Sequence, residues 1–178
     1  ATSGVGVGLL SFFDVPAAQA PGFAVIDSID GKDSELRRLF ELSAGAPNTA
    51  LNFFMVREMK GGGIGYTILG IAGGIPGIPF EQGTNASGVA VTALDLSSDP
   101  RAVARTMAHE GGHWLGLWHT TEQNGQMHDP LSDTPECLAD RDSNRDELLS
   151  SEECQGTGAE NLMFWAAGKT AATLSDNQ

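Results

Sequence analysis

The sequence predicts an α+β domain, and three features lead to this prediction. Short apolar segments bounded by glycine and proline fill most of the first half of the 178-residue chain. One longer segment then begins with helix start signals, and the rest is polar, acidic and rich in turn residues. A chain of this length suits one domain. We therefore predict a single domain, 1–178, with a sheet and helix over 1–116 and an irregular part over 117–178.

Five segments have the composition of β-strands. They are GVGVGLLSFF (4–13), FAVID (23–27), LNFFMVREM (51–59), YTILGIA (66–72) and SGVAVTAL (87–94). The last is apolar enough for a buried strand, whereas the glycines and following prolines of 66–72 favour a sheet edge. The long uncharged stretch between Lys60 and Glu81 contains too many glycines and prolines for a membrane helix, so we predict no membrane span.

Two helices are predicted, each preceded by a capping residue. Ser34 can cap the short helix ELRRLFELSA, which a glycine and a proline then end. Asp99 or Ser98 can cap a longer helix, and Pro100 suits its first turn. This second helix includes the first histidines of a cluster, so the helical spacing determines the direction in which they project.

Charge and cysteine content restrict the partners and the compartment. The net charge of −13 disfavours nucleic acid and anionic membrane surfaces as partners. Cys137 and Cys154 lie in an acidic, loop-like stretch where a buried apolar cysteine is not expected, so we predict a disulfide between them. A disulfide indicates an extracellular or cell-surface protein. The first residues lack the features of a signal peptide, so we expect a mature or trimmed form of an exported precursor.

The segment HEGGHWLGLWH, residues 109–119, contains three of the four histidines of the chain. His109 and His113 are four residues apart on the predicted helix, so both imidazoles project from one face and can bind one zinc ion. Glu110 is next to the first ligand, where its carboxylate can reach a water on the metal without binding the metal itself. Because a catalytic zinc needs three protein ligands and an open position, a third ligand must follow.

Two residues compete for the third position. His119 lies too far along for the same helical face, but Gly116 can take the positive φ that ends the helix and turns the chain. Glu136 is the alternative, although its flanks, SDTPECL, resemble a loop more than a second helix. We favour His119. His128, the fourth histidine, has no partner at ligand spacing and is expected at the surface or around the site.

The histidine segment matches the metzincin zinc-binding motif, H-E-x-x-H-x-x-G-x-x-H, at every fixed position. NLMFW (161–165) resembles the Met-turn of those peptidases, with Met163 as its methionine, and the DTPEC segment after the third histidine is similar to the pappalysin-type branch. The resemblance covers 99–165. It implies a twisted mixed sheet, an active-site helix and a loop-rich C-terminal subdomain. It also implies a secreted zinc endopeptidase that cleaves protein or peptide substrates, with Glu110 activating the water.

The chain departs from the metzincin pattern at Trp165. Several metzincin branches have a tyrosine two positions after the methionine, and an indole can donate a hydrogen bond there but cannot bind zinc. We expect an extended substrate to pair with an edge strand within 66–73. The sequence does not indicate an oligomeric state.

The acidic segment DSNRDELLSSEE, residues 142–153, resembles a calcium-binding loop. Its candidate ligands are Asp142, Asn144, Asp146, the Leu148 carbonyl, Ser150 and Glu153. Glu147 occupies the position where the template has glycine, so a solvated acidic loop is the alternative. Two other functions stay open: a calcium-stabilised binding or adhesion module with an inert zinc site, and a zinc hydrolase that uses Glu136 as its third ligand.

Overall fold

The computed structural model describes residues 8–16, 18, 20, 22–31, 33–61, 67–166 and 168–178. Contacts divide the described residues into two compact units, one that ends at Leu115 and one that runs from Gly116 to Gln178. The first unit contains every strand and both α-helices of the described residues, in the order β1 Val25–Ile26, α1 Glu35–Glu41, β2 Phe53–Val56, β3 Glu58–Met59, β4 Gly70–Ala72, β5 Val89–Thr92 and α2 Pro100–Trp114. The fold is therefore a small α+β arrangement, as the sequence predicts.

The sheet that carries the site has three strands in the order β2-β5-β4. β5 pairs with β2 in parallel and with β4 in the antiparallel direction, so the sheet is mixed. All four residues of β5 are buried, which confirms the buried strand predicted within 87–94. β4 pairs with β5 on one side only among the described residues, which agrees with the sheet edge predicted for 66–72.

Two strand predictions need correction. Residues 8–13 of the predicted strand 4–13 form no strand, and Leu9 and Phe12 are 96% and 90% exposed. Apolar composition alone does not make a strand, because a strand needs a partner and a surface to pack on; residues 4–7 lie outside the described part. The segment 51–59 is interrupted at Arg57, because β2 pairs with β5 whereas β3 pairs with β1.

Both predicted helix starts are confirmed. The Ser34 side chain accepts a hydrogen bond from the Arg37 N–H at 3.3 Å, and Asp99 accepts one from the Ala102 N–H at 3.1 Å. These caps satisfy backbone donors that the first helical turn cannot pair internally. Of the two residues proposed for α2, the cap is Asp99.

α2 packs against β4 and β5 through its apolar side. Val103 is buried with Val89 and Val91, and Met107 and Trp114 pack at the edge of this cluster. A second cluster joins α1 to the strands and comprises Ile26, Leu36, Leu39, Phe40, Val56, Met59 and Ala90. The residues at the C-terminal end of α2 are thereby held on a packed support. Within the described residues, no helix is both long enough and apolar enough to span a membrane.

The second unit, Gly116–Gln178, has little regular structure. Its described residues contain one short 3₁₀ helix, Ala139–Arg141, and isolated bridges. Its small core consists of Cys137, Leu149, Cys154, Ala159 and Phe164.

Candidate metal centre

Two of the three predicted metal ligands lie on α2. His109 and His113 are 7% and 4% exposed, and their ring centroids are 4.7 Å apart at an interplanar angle of 88°. The four-residue spacing produces this proximity, because residues i and i+4 of a helix lie one above the other. The two imidazoles are therefore fixed by the helix itself.

The chain turns after α2 and brings in the third histidine. The helix ends at Trp114, and Gly116 adopts a φ of +105°, the left-handed conformation predicted for it. One nitrogen from each of His109, His113 and His119 lies within 4.8 Å of the others. Among the described residues this is the only such group of three or more His, Cys, Asp or Glu side chains. Three imidazoles are a donor set that suits zinc and leaves room for a fourth ligand.

Glu110 is buried beside the first ligand. Its side chain is only 6% exposed, and this burial raises the pKa of its carboxyl from 4.5 to about 8, while a hydrogen bond from the Ala72 backbone lowers that pKa. A cation bound nearby favours the ionised form and would lower the pKa further. Burial thus favours the protonated carboxyl, and only a nearby cation would favour the ionised form that can take up a proton.

Gly70 on β4 makes room for Glu110. A Cβ built on Gly70 would stand 2.5 Å from the Glu110 Cγ and 2.8 Å from the Thr106 Cγ2. Such distances are shorter than side chains tolerate, so only glycine lets the strand approach α2 this closely. Sequence analysis missed this role, and a glycine inside a strand-like segment was the available signal.

Glu136, the alternative third ligand, is exposed and does not belong to the histidine group. His128 also lies outside the group, and its Nε2 is 3.4 Å from the Cys137 carbonyl oxygen.

A cavity of about 220 Å³ opens beside His119, lined also by Trp118, Glu122, Met127, His128, Asp129 and Pro130. It offers an open, mainly apolar hollow next to a candidate metal ligand.

Glu122 contacts the third histidine directly. Its Oε1 lies 3.1 Å from His119 Nδ1, and the two side chains are 34% and 23% exposed. Sequence analysis did not select this residue. The available signal was its position three residues after the last histidine of the motif, where a short turn can bring the two side chains together.

Met163 is buried and contacts Thr120, the residue that follows His119. It is fully inaccessible, its carbonyl accepts the Thr120 N–H at 3.0 Å, and its own N–H donates to Asn161 Oδ1 at 2.8 Å. A tight turn therefore supports the backbone next to His119.

The Trp165 indole N–H donates to the Leu149 carbonyl at 2.8 Å, so this donor is directed to the acidic loop.

The predicted disulfide is present between Cys137 and Cys154, with Cα atoms 5.6 Å apart. The expectation that buried cysteines do not occur in this stretch was wrong, because both are completely buried in the core of the second unit. The acidic sequence around them does not reveal this, because Leu149 of the acidic loop itself and Phe164 further along the chain pack in the same core as the bridge.

The acidic loop 142–153 is closed by its own hydrogen bonds. Asp142 accepts the N–H groups of Arg145 and Glu147, and Glu153 accepts from the backbone and hydroxyl groups of Ser143 and Ser150. These bonds lower the pKa of Glu153 from 4.5 to about 2.

The other predicted ligands of this loop also bond within it. Asn144 Oδ1 accepts the Asp146 N–H, and Asp146 Oδ1 accepts the Leu148 N–H, both at 2.9 Å. Glu147 has a φ of +65°, the conformation for which the template places glycine. Among the described residues, the ligand atoms of this loop do not form a group of three within 4.8 Å of one another, as the histidine nitrogens do.

No protein-family model and no curated protein matches the chain.

Proposed function

We propose that the protein is a zinc-dependent endopeptidase. The observation that carries this proposal is the group formed by His109, His113 and His119, with buried Glu110 adjacent to the first ligand on the same helix. Structural zinc sites have four protein ligands, whereas three ligands leave a position open for reaction. A carboxylate beside a three-histidine group would supply a proton acceptor next to a metal-bound water, which is what metal-dependent peptide hydrolysis uses.

The chain's residues divide the chemistry between them. A bound zinc would supply a Lewis acid that polarises the scissile carbonyl and lowers the pKa of water. Glu110 takes the proton from the attacking water and delivers it to the leaving amine, which is general base and then general acid catalysis. Burial between β4 and α2 keeps the Glu110 carboxyl away from bulk water and raises its proton affinity, whereas a bound cation would favour the ionised form that accepts the first proton.

An extended protein or peptide segment is the substrate class that the surroundings support. β4 is paired only with β5 among the described residues, so the backbone groups of its other edge that do not bond to Glu110 can pair with an added strand. The cavity beside His119 can take one substrate side chain. Backbone pairing of this kind selects an unfolded or flexible segment over a folded surface.

Calcium binding and an extracellular location are further parts of the proposal. Glu147 adopts the backbone conformation of the calcium-loop template, and Asp142, Asp146 and Glu153 place three carboxylates in this one loop. A disulfide is typical of oxidising compartments, which supports secretion or display at the cell surface.

The alternative is a binding or adhesion module with an inert metal site. The burial of Glu110 speaks against it, because burying a carboxyl costs stability and a site without chemistry gains nothing from it. A zinc hydrolase that uses Glu136 would need this exposed residue to move to the metal.

A proteolysis assay with a denatured protein substrate separates these functions. Purified protein should cleave the substrate, lose activity with 1,10-phenanthroline, and regain it when zinc is added after the chelator is removed. A binding module would show no cleavage under any of these conditions, although it would still bind zinc. Cleavage that is unaffected by chelation would reject the metal-dependent mechanism.

A further inference from the structure

We propose that Glu122 is a positioning residue for His119, and that it directs the Nε2 atom of this histidine to the metal. The inference rests on the proposed zinc centre and adds a residue to it. The contact that carries it is the 3.1 Å distance between Glu122 Oε1 and His119 Nδ1.

The chemistry of the two groups assigns the proton. A neutral imidazole has one N–H and one free lone pair, and a carboxylate can only accept hydrogen bonds. With Glu122 at Nδ1, that nitrogen must carry the hydrogen, and the lone pair is then on Nε2. A metal ion needs this lone pair. Carboxylates that accept the second N–H of a histidine ligand fix its tautomer and its ring orientation.

The backbone around Glu122 is already held in place. Its N–H donates to the Met127 carbonyl, and its own carbonyl accepts the Gly125 N–H, both at 2.9 Å. Thr121 and His128 form an antiparallel bridge that closes the same turn. The carboxylate is therefore supported by a closed turn and does not depend on a freely moving loop.

Close packing of Gly125 against Ala139 and Leu149 holds this turn in place. Gly125 has a φ of +66°, and a Cβ there would come within 2.6 Å of the Leu149 Cδ1 and the Ala139 N. The Leu149 N–H donates to the Gln123 carbonyl at 2.7 Å. The turn that carries Glu122 is thus packed on the disulfide core, since Leu149 belongs to that core.

Stability alone does not explain this pair. Both side chains are partly exposed, and hydrogen bonds or ion pairs between such side chains contribute little to stability because solvent competes with them. His119 is the ligand that follows the end of α2, so the helix does not orient its ring as it orients His109 and His113. A carboxylate from the following turn supplies a constraint that the helix does not.

Zinc affinity and the histidine tautomer test this role together. The variants are Glu122→Ala, which removes the acceptor, and Glu122→Gln, which keeps an acceptor oxygen without the charge. Glu81→Ala is the control, because Glu81 is exposed and its removal changes the net charge equally. Zinc affinity is measured by competition with a chromogenic chelator. The tautomer is measured by ¹⁵N NMR of the imidazoles in the zinc-free protein at a pH where His119 is neutral.

We expect Glu122→Ala to weaken zinc binding about 10–100-fold, which is the usual cost of losing such an outer partner. Glu122→Gln should lose less, and Glu81→Ala should match the wild type. His119 should be the Nδ1–H tautomer in the wild type and shift toward Nε2–H in Glu122→Ala. If the alanine variant does not fold, the glutamine variant and the wild-type tautomer decide the question.

Three results would overturn the proposal: a wild-type His119 in the Nε2–H form, a folded Glu122→Ala variant that binds zinc as tightly as the wild type, and a wild type that binds no zinc. Neither readout uses peptidase turnover. A protein with the expected tautomer and zinc affinities but without proteolysis would therefore reject the proposed peptidase and retain the role of Glu122.

Discussion

Gly70 and Glu110 face each other across the contact between β4 and α2. A Cβ on Gly70 would stand 2.5 Å from the Glu110 Cγ and 2.7 Å from its Oε1. The absence of a side chain on the strand thus creates the space that the buried carboxyl occupies. The position of Glu110 depends on a residue forty positions earlier in the chain.

Replacing Gly70 with alanine should affect stability and catalysis together. The added methyl group must displace Glu110 or separate β4 from α2, and overpacking of this kind costs about 1–3 kcal/mol. We expect a lower urea midpoint and a substantial loss of turnover. Gly45→Ala is the matched control, because a Cβ there meets nothing within 4 Å. An unchanged midpoint and turnover in Gly70→Ala would show that this contact does not position Glu110.

Removing His119 should remove zinc, and removing Glu136 should not. His119 belongs to the three-histidine group, whereas Glu136 is exposed and outside it. Losing a direct ligand should weaken binding by more than the roughly 10–100-fold expected for a lost outer partner. Zinc content after dialysis, measured by atomic emission on His119→Ala and Glu136→Ala, checks this. Full zinc in His119→Ala together with loss in Glu136→Ala would identify Glu136 as the third ligand.

Calcium should raise the melting temperature of the zinc-loaded protein. A cation between Asp142, Asp146 and Glu153 offsets their repulsion, and ligand binding adds about 2.7 kcal/mol at a hundredfold excess over Kd. The measured quantity is the gain in melting temperature on adding calcium, because Asp142 also accepts two backbone hydrogen bonds without it.

Asp142→Ala should lose most of this gain, whereas Asp30→Ala, which removes an exposed carboxylate elsewhere, should retain it. No change in the wild-type melting temperature, together with no heat of binding in calorimetry, would show that 142–153 is a solvated acidic loop.

Glu153 should make the calcium-free protein sensitive to acid. Hydrogen bonds from Ser150 and Ser143 lower its folded-state pKa from 4.5 to about 2. A lowered pKa means that the ionised form stabilises the fold above about pH 4.5, and that this contribution disappears as the pH falls toward 2. The urea midpoint of the wild type should therefore fall more steeply over this range than that of Glu153→Gln.

The control for this comparison is Glu152→Gln, since Glu152 is the exposed neighbour of Glu153. It should follow the wild-type curve. Parallel curves for the wild type and Glu153→Gln would mean that Glu153 does not contribute to acid sensitivity.

Local rules account for the parts of the site that the sequence predicts. The cap at Asp99, the proximity of His109 and His113, and the left-handed Gly116 follow from spacing and residue type over a few positions. The buried strand β5 follows from its continuous apolar composition. The disulfide between Cys137 and Cys154 follows from the cysteine count, although the composition around the two cysteines does not predict their burial.

Tertiary packing determines the parts that the sequence does not predict. Gly70 approaches Glu110 because β4 packs against α2, and no local pattern around residue 70 reports the position of residue 110. The hydrogen bond from the Trp165 indole N–H to the Leu149 carbonyl likewise depends on tertiary packing. The strand expected over 4–13 fails in its described part for the opposite reason, because its apolar residues find no surface to pack on.

The central claim is that a zinc held by three histidines acts with Glu110 as the proton-transfer group. Glu110→Gln tests it most directly, because the amide has nearly the same shape but cannot take up the proton. We predict that purified Glu110→Gln retains one zinc per chain, measured by atomic emission, and loses at least about 100-fold of the wild-type turnover on a denatured protein substrate. Near-normal turnover in the zinc-loaded variant would contradict the account.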